Sequence, residues 1–491
     1  MTPAPLTETH AVPTPHLHTD LLIGGRSEPG QGERFVVDNP ATERVVATVP
    51  GASTVQVDAA LAAARRAFES SSWRDPGLRR DCLLALASLV ERDRDLLTHL
   101  LVSEVGTPVA LCETLQVNEP IAMLRDYAER TMGDRTRHLG RSNGTPPSDA
   151  LIRYEPSGVV AAVTAYNYPL LFAALKVGAA VAAGCTVVLL PSYQTPLSTL
   201  HFGMLCSEAG LPAGTVNVLA GSTTVARALT SHPNVDKISF TGSTDVGRKI
   251  LAQAAPELTR SVLELGGKSP SILLPGVELE QLTTAVHARY LRNAGQGCSS
   301  PTRILVHRGQ FDEFLRLTEA AVASIKVGDP WDPDTVAGPL ISAAHRTRVE
   351  GYVERALADG GRVIAGGGRP DLPHGWYLNP TVITGVSNQS EIARTELFGP
   401  VGLVFPYDSV EEAVAMANDS EYGLSATIYG DPAAARTLAP RLRVGTVMIN
   451  GWIGRRDQSS GGFKASGMGR EAGEEGVREF LEAQYVAWPI D

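Results

Sequence analysis

Apolar and polar positions alternate in blocks along this chain, and the longest apolar block lies at residues 158–190. Its first part, GVVAAV, and its last part, TVVLL, are rich in β-branched residues, whereas its middle is rich in Ala and Leu. The pattern predicts a strand at 159–164, a helix at 170–183 and a strand at 186–190, because the strands of a parallel sheet are apolar on both faces. The block is long enough to span a membrane, but Lys176 and the interruptions NYP and AAGCT favour a buried β–α–β unit.

Helix and strand patterns also alternate outside this unit. A stretch at 35–50 alternates like an edge hairpin, and helical periodicity then runs from about residue 55 to about residue 130. Strand patterns follow in TVNVLAG, KISFTGS and SVLELGG, and later in SPSILLP, TRILVHR and TVMIN. This alternation predicts an α/β fold: a Rossmann-like, doubly wound parallel sheet followed by a second α/β region.

Composition narrows the class of protein. A chain of 491 residues is too long for one core, so two or three domains are expected. Its net charge of −10 argues against general nucleic-acid binding. The five scattered cysteines contain no CxxC pair, which suggests neither disulfides nor a metal site and favours a reducing, cytoplasmic setting. Residues 1–20 lack the pattern of a secretory signal and predict a flexible tail.

Three short motifs contain residue types that are common in active sites. Cys298 lies in the Gly-rich stretch NAGQGCSSPTR, and it is either a buried core thiol or a reactive one. Gly242 and Ser243 lie where a strand passes into a helix. This turn either binds a phosphate or is an ordinary structural turn. Glu264 ends an apolar strand, as a general base of raised pKa or as a salt-bridged carboxylate. The remaining cysteines lie in core patterns: Cys82, Cys112, Cys185 and Cys206.

Taken in order, the motifs resemble those of the aldehyde dehydrogenase superfamily. TAYNYP, FTGSTDVG, ELGGKSP, GQGCSS, ELFGPV and GGFKASGMGRE follow one another, and the similarity runs from about residue 20 to the end. The resemblance implies a cofactor-binding domain at 21–131 and 151–262 and a catalytic domain at 263–472. A small β oligomerisation arm would combine 132–150 and 473–491. It also implies a homodimer or homotetramer, with no membrane or nucleic-acid partner.

The resemblance further implies oxidation of an aldehyde to a carboxylic acid by the non-acylating, hydrolytic mechanism. Cys298 is then the nucleophile that forms a thiohemiacetal and a thioester, and Asn167 and the Cys298 N–H hold the oxyanion. Glu264 activates the water that hydrolyses the thioester, and family members that use coenzyme A typically lack this glutamate. Lys176 either assists the handling of protons or charge during the reaction, or is a buried helix lysine paired with a carboxylate.

Binding of NAD or NADP, without a metal, is implied in the same way. Glu396 would hold the nicotinamide ribose, and Phe398 would back the nicotinamide ring. The positions that match the family's cofactor site are Tyr166, Leu190, Ser192, Tyr193, Gly242, Ser243, Val246, Gly266, Glu396 and Phe398.

The adenosine end of that site departs from the family pattern. The family usually reads KPSE or KPAE where this chain reads LPSY, so Leu190 and Tyr193 replace a lysine and a glutamate that bind the ribose hydroxyls. Ala226 also replaces a usual glycine, and Arg227 beside it is either a phosphate contact or a surface arginine. Loss of the glutamate removes repulsion against a 2′-phosphate. We therefore expect weak NAD binding and tolerance of NADP.

The sequence leaves the substrate open. Tyr168 and Trp452 fit an aromatic or aliphatic aldehyde, whereas Arg455 and Arg456 fit a carboxylate-bearing aldehyde if they face the site rather than solvent. The altered adenosine end also leaves two alternatives to oxidation. One is a cofactor-independent thioesterase or esterase that uses Cys298, and the other is a catalytically silent binding protein.

Overall fold

The computed structural model describes residues 17–451 and 454–490. The strands are β1 (Leu21–Ile23), β2 (Arg26–Glu28), β3 (Arg34–Asp38), β4 (Val45–Pro50), β5 (Thr136–His138), β6 (Ser148–Pro156), β7 (Val159–Val163), β8 (Thr186–Leu190), β9 (Val216–Val218), β10 (Lys237–Thr241), β11 (Arg260–Glu264), β12 (Pro270–Leu273), β13 (Arg303–His307), β14 (Arg362–Gly366), β15 (Thr381–Thr384), β16 (Val401–Tyr407), β17 (Tyr422–Gly423), β18 (Ser425–Tyr429), β19 (Thr446–Ile449), β20 (Phe463–Lys464), β21 (Gly467–Met468) and β22 (Leu481–Pro489). The helices are α1 (Thr54–Glu69), α2 (Pro76–Arg92), α3 (Arg94–Val105), α4 (Val109–Leu111), α5 (Glu119–Arg130), α6 (Pro169–Ala183), α7 (Leu197–Glu208), α8 (Thr223–Thr230), α9 (Thr244–Ala254), α10 (Leu279–Leu291), α11 (Arg308–Ala323), α12 (Ala343–Ala358), α13 (Glu391–Arg394), α14 (Val410–Asn418), α15 (Pro432–Leu438) and α16 (Gly473–Arg478).

The first sheet has eight strands in the order β2-β1-β9-β8-β7-β10-β11-β21. Its central strands, β9 to β11 in that order, are all parallel. Every residue of β7 and β8 is buried, and α6 connects the two strands. The predicted strand–helix–strand unit is thereby confirmed, because its apolar residues are covered on both faces of the sheet.

The second sheet has seven strands in the order β14-β15-β16-β13-β12-β18-β19. All its pairings are parallel except that of β14 with β15. Neighbouring residues of one strand belong to different apolar clusters, as Ile304 and Leu305 of β13 do. Alternate side chains of a strand point to opposite faces, so both faces of this sheet are covered.

A separate three-stranded antiparallel sheet, in the order β22-β6-β5, includes parts of both segments of the predicted arm. Its long pairing runs from Leu481 opposite Pro156 to Pro489 opposite Ser148. Shortly before β22, Val477 and Phe480 pack in the core of the first sheet. The predicted hairpin is confirmed as β3 and β4.

The structure describes only the last part of the N-terminal segment, residues 1–20, for which a flexible tail was predicted. Residues 1–16 of the predicted tail lie outside the described residues. Leu17 packs against the core of the first sheet, and the ring of His18 lies 5.1 Å from that of His201. Cys82, Cys112, Cys185 and Cys206 are buried core residues, as predicted. Among the described helices, none has the length and apolar character needed to cross a membrane.

The strand order of the first sheet determines where a site is expected. The chain passes from β7 to β8 on one side, and later adds β10 on the other side of β7. A crevice opens at the carboxyl ends of the strands where the order reverses in this way, and ligands bind there in α/β sheets. The segments that follow β7, β10 and β11 therefore lie together at one edge.

Candidate active site

The segment that carries Cys298 begins where α10 ends. Arg292–Gly295 form a short 3-10 turn in which Asn293 and Ala294 have φ values of 51° and 55°, in the left-handed region. Gly295 follows with φ 76°, and a Cβ there would lie 2.2 Å from the carbonyl oxygen of Gly399, so only glycine fits. The turn directs the chain across the crevice, where Cys298 is half-buried.

Three buried amide side chains hold this segment against the first sheet: Asn167, Asn293 and Gln296, which we call the amide cluster. Asn167 Nδ2 donates to the carbonyl oxygen of Gln296 at 2.9 Å, and Asn293 Nδ2 donates to the carbonyl oxygen of Asn167 at 3.2 Å. The Tyr166 hydroxyl donates to Gln296 Oε1 at 3.1 Å. A primary amide has two N–H donors, and the Asn167 side chain uses one of them here, which leaves the second for a ligand.

The thiol of Cys298 lies in an environment that disfavours its ionised form. Its pKa is raised to about 12, first by burial and then by the negative charges of Glu396 and Glu264. The backbone N–H groups of Ser299 and Cys298 act in the opposite direction. The thiol is therefore protonated at neutral pH, and a base must take its proton before the sulfur can attack a carbonyl carbon.

Glu264 meets the physical requirements of such a base. Burial raises its pKa well above the usual value, and the charge of Glu471 raises it further, while Lys176 lowers it. Its Oε1 has no hydrogen-bond partner among the described residues. An unpartnered carboxylate oxygen of raised pKa is suited to accept a proton from water or from a thiol.

Lys176 belongs to a buried ion pair. Its Nζ lies 2.5 Å from Glu471 Oε1 and donates to the Ser239 hydroxyl at 2.9 Å. The sequence left this lysine with two interpretations, and the structure shows the pairing with a carboxylate. The charge of Lys176 nevertheless lowers the pKa of Glu264, so this lysine both pairs with Glu471 and affects the site.

The charge of Glu396 acts on the thiol, and Phe398 follows two residues later in the same segment. Glu396 Oε1 accepts a hydrogen bond from the Gly267 N–H at 3.0 Å, and burial raises the pKa of this carboxyl to about 7. A Cβ on Gly266 would lie 2.2 Å from Glu396 Oε2, so glycine is required for the carboxylate to approach. Phe398 has a left-handed φ of 59°, and its ring packs edge-on against Tyr166 at 5.7 Å.

The turn after β10 has the features of a phosphate site. Ser243 caps α9 and accepts a hydrogen bond from the Val246 N–H, and Gly242 N–H donates to the carbonyl oxygen of Glu264 at 3.0 Å. The first N–H groups of a helix point outward and attract anions. Exposed Val246 leaves this helix start open to solvent.

The adenosine end offers fewer polar groups. Leu190 is only 2% exposed and gives no donor, whereas Tyr193 is 49% exposed and packs edge-on against Phe35 at 6.2 Å. The Ser192 hydroxyl accepts from the Gln194 N–H at 3.4 Å. The residues present thus fit a dinucleotide at its phosphate and nicotinamide ends, and offer no paired contact to the adenosine ribose.

The predicted substrate residues are only partly brought together. A Cβ on Gly297 would lie 3.7 Å from the Tyr168 hydroxyl, which places that phenol close to Cys298. Arg455 is exposed and forms an ion pair with Asp457 at 2.6 Å, and Arg456 is exposed as well. The prediction that these arginines line the pocket is not supported, because both lie in solvent. Trp452 lies outside the described residues.

Comparison with known proteins decides what kind of site this is. The sequence profile of the aldehyde dehydrogenase family matches residues 27–486. This chain belongs to that family. The NAD(P)-dependent oxidation of aldehydes that the motifs predicted is confirmed, and the silent or esterase alternatives are not favoured.

The proteins similar to this chain include a curated relative and solved structures of the same family. Geranial dehydrogenase from Castellaniella defragrans is 39% identical, with 96% of this chain and 98% of that protein covered. An aldehyde dehydrogenase from Bacillus cereus solved with NAD+ is 34% identical, with 100% of both chains covered and a TM-score of 0.93. A mutant of aldehyde dehydrogenase C from Pseudomonas syringae, solved with NAD+ and octanal, is 37% identical, with 96% and 97% covered and a TM-score of 0.91. These similarities confirm the predicted α/β fold.

Several residues of the site in this aldehyde dehydrogenase were not predicted. Gln296 and Asn293 lie in the quoted stretch around Cys298, but nothing in their spacing indicates that they bind Asn167. Glu471 ends the quoted motif GGFKASGMGRE, and only the fold brings it to Lys176. Lys268 is buried, and burial lowers its pKa to about 7, followed by the charge of Arg303.

The ion pair of Lys176 and Glu471 gives a test of the base. Lys176→Met removes a charge that lowers the pKa of Glu264, so that pKa rises and the acid limb of the kcat–pH profile moves to higher pH. Glu471→Gln removes a charge that raises the same pKa, so the limb moves to lower pH. Steady-state kinetics measured from about pH 5 to about pH 9 detect both shifts, because this range spans the titration of a carboxyl of raised pKa. Shifts in the same direction in both variants would contradict this assignment.

Proposed function

We propose that Cys298, Glu264 and Asn167 carry out the oxidation of an aldehyde to a carboxylic acid in this enzyme. The observation that supports the proposal is their convergence. The charge of Glu264 acts on the Cys298 thiol, and Asn167 binds the carbonyl oxygen of Gln296, two residues before that cysteine. One residue supplies a nucleophile, one a base and one a hydrogen-bond donor, which together suffice for acyl chemistry.

In the first step, Glu264 accepts the proton of Cys298 and the sulfur attacks the carbonyl carbon of the aldehyde. The raised pKa of Glu264 favours this transfer, because a stronger base is a better match to a thiol of high pKa. The carbonyl oxygen becomes an oxyanion bound by the second N–H of Asn167 and the backbone N–H of Cys298. Loss of one such donor costs about 3 kcal/mol of transition-state stabilisation.

NAD(P)+, when bound, accepts a hydride from the aldehyde carbon. Glu396 would bind the hydroxyls of its nicotinamide ribose, Phe398 and Tyr166 would contact the ring, and Gly242, Ser243 and the start of α9 would bind its phosphates. Loss of the hydride converts the oxyanion adduct into a thioester on Cys298, and Glu264 releases its first proton to solvent. Glu264 then takes a proton from water, and the oxygen of that water attacks the thioester carbon. The carboxylic acid is released, and Cys298 leaves and takes the proton back from Glu264 as the thiol.

We propose further that the enzyme is cytoplasmic and a homo-oligomer. β22 is an edge strand, and three of its large hydrophobic side chains are exposed: Tyr485, Val486 and Trp488. An exposed apolar edge strand pairs readily with another chain, and this supports a contact between copies through the arm.

Replacement of the nucleophile tests the proposal directly. Cys298→Ala is expected to lower NADH formation to below about a thousandth of the wild-type rate, because no group remains to form the covalent intermediate. Cys206→Ala is the matched control, since it removes a buried core thiol remote from the chemistry. Activity that survives in Cys298→Ala and is lost in Cys206→Ala would refute the assignment.

The altered adenosine end predicts relaxed cofactor use. The wild type is expected to reduce both NAD and NADP, whereas Tyr193→Glu is expected to lower kcat/KM for NADP by about tenfold or more, because a carboxylate repels the 2′-phosphate. Tyr193→Gln serves as the control, because glutamine has the size of glutamate but carries no charge. Titration of each cofactor at saturating aldehyde measures the effect, and equal losses in the two variants would argue against repulsion as the cause.

A further inference from the structure

Two polar side chains of the N-terminal helical region, Thr107 and Gln116, are completely buried. Thr107 follows the end of α3, and Gln116 belongs to a π-helical turn at Cys112–Asn118, between α4 and α5. Burial of a polar group is unfavourable unless the group is hydrogen-bonded, and π-helical turns are rare and frequent at functional sites. Neither residue has a part in the chemistry described above, so their burial calls for another explanation.

Hydrogen bonds connect both side chains to the active site. Gln116 Nε2 donates to the Thr107 hydroxyl at 2.7 Å, and that hydroxyl donates to Asn293 Oδ1 at 2.9 Å. Asn293 Nδ2 in turn donates to the carbonyl oxygen of Asn167 at 3.2 Å. These bonds form a continuous path from the π-helical turn to the main chain of Asn167, which we call the Thr107 network.

One assignment of donors and acceptors fits the Thr107 network. The carbonyl oxygen of Asn167 only accepts, so Asn293 must direct its NH2 group to that oxygen and its amide oxygen to Thr107. Thr107 has a single hydroxyl proton, which Asn293 Oδ1 accepts, so Gln116 must be the donor to the hydroxyl oxygen. The network therefore fixes the orientation of the Asn293 amide.

The main chain beside Thr107 is fixed against the same part of the protein as the segment before Cys298. Gly106 has a φ of 75°, and a Cβ there would lie 2.5 Å from Cγ of Pro339. The carbonyl oxygen of Pro339 accepts a hydrogen bond from Gln296 Nε2 at 3.2 Å. The turn that carries Thr107 is thus close-packed, and its hydroxyl can serve as a rigid anchor for Asn293.

The side chain of Asn167 has few contacts of its own. Its Nδ2 donates one N–H to the carbonyl oxygen of Gln296, and its Oδ1 has no hydrogen-bond partner among the described residues. The direction of its second N–H therefore depends on where the main chain of Asn167 lies, and Asn293 holds that main chain. Asn293 also lies in the left-handed turn that leads to Cys298. One side chain thus links the donor to the segment that carries the nucleophile.

We propose that Thr107, oriented by Gln116, is a positioning residue for the reaction: through Asn293 it directs the second N–H of Asn167 toward the oxyanion. This inference rests on the proposed function, since it takes Asn167 as the oxyanion donor. Thr107 acts through Asn293 and does not touch the reacting atoms. A donor that meets full charge only in the transition state acts on the rate of the chemical step, so the effect is expected there.

Replacement of the Thr107 hydroxyl tests the proposal. The probe is p-nitrophenyl acetate: Cys298 passes its proton to Glu264, its sulfur bonds to the acetyl carbon through an oxyanion, and p-nitrophenolate leaves. Thr107→Val keeps the shape of the side chain and is expected to slow this acylation by about tenfold or more, because small displacements of reacting groups are costly. Thr107→Ser keeps the hydroxyl and is expected to retain most of the rate. The kcat/KM for octanal with NAD+ is expected to follow the same order.

A double-mutant cycle determines whether Thr107 acts through Asn167. Asn167→Ala removes the donor and is expected to slow acylation by about a hundredfold. In that background Thr107→Val is expected to cause less than about a twofold further loss, because the amide that it directs is absent. A further tenfold loss, or a wild-type rate in Thr107→Val alone, would overturn the inference and leave the proposed function intact. An unchanged rate in Asn167→Ala would instead contradict the proposed function.

Control variants separate position from stability. Thr384→Val on β15 removes a buried hydroxyl that donates to the carbonyl oxygen of Val404 at 2.9 Å, and it is expected to leave acylation unchanged. If Thr107→Val does not fold, Thr107→Ala and Thr107→Ser, which differ by one oxygen atom, provide the same comparison. Gln116→Met lacks the donor and is expected to slow acylation without adding to the loss in Thr107→Val. Losses that multiply in the double variant would contradict a single network.

Discussion

The hydrogen bond from Asn167 to the carbonyl oxygen of Gln296 is the contact on which the geometry of this site depends. Asn167 follows β7 of the first sheet, and Gln296 precedes β13 of the second. Asn167, Asn293 and Gln296 are each no more than 1% exposed. A buried polar group left without a partner costs about 1–3 kcal/mol, so displacement of this segment is opposed several times over. The position of Cys298 relative to the first sheet follows from that constraint.

Burial then sets the electrostatic character of the site. It is the main cause of each pKa shift there: upward for Cys298, Glu264 and Glu396, and downward for Lys268. Such a site disfavours the charged form of each group, so the resting enzyme retains the thiol proton, and Glu264 in its ionised form accepts a proton readily. Charge that develops during the reaction must be stabilised by fixed dipoles, such as the amide of Asn167 and the backbone N–H of Cys298. The buried pair of Lys176 and Glu471 adjusts the pKa of Glu264, because the lysine lowers it and the glutamate raises it.

The sequence predicted local structure well because local structure depends on local patterns. The strand–helix–strand unit around α6 was expected within about a residue of its observed bounds, since its apolar runs end at clear turn residues. Cys298 and Glu264 were selected through ordered motifs. What the sequence could not provide is which side chains meet across the crevice: Glu471 lies 295 positions from Lys176, and its contact is a product of the fold. For the same reason Arg455 and Arg456 were candidates for the pocket, although both are exposed to solvent in the structure.

The covalent intermediate on Cys298 is the central claim of this account, and intact-protein mass spectrometry tests it most directly. Glu264→Gln lacks the base that activates water, so the thioester is not hydrolysed once it forms. After a long incubation with an aldehyde and NAD+, in which solvent hydroxide takes the thiol proton slowly in place of Glu264, the acid-quenched variant is predicted to gain the mass of one acyl group. Peptide analysis should place that acyl group on Cys298, and Glu264→Gln in the Cys298→Ala background should gain no mass. An adduct on another residue, or full turnover by Glu264→Gln with no adduct, would contradict the account.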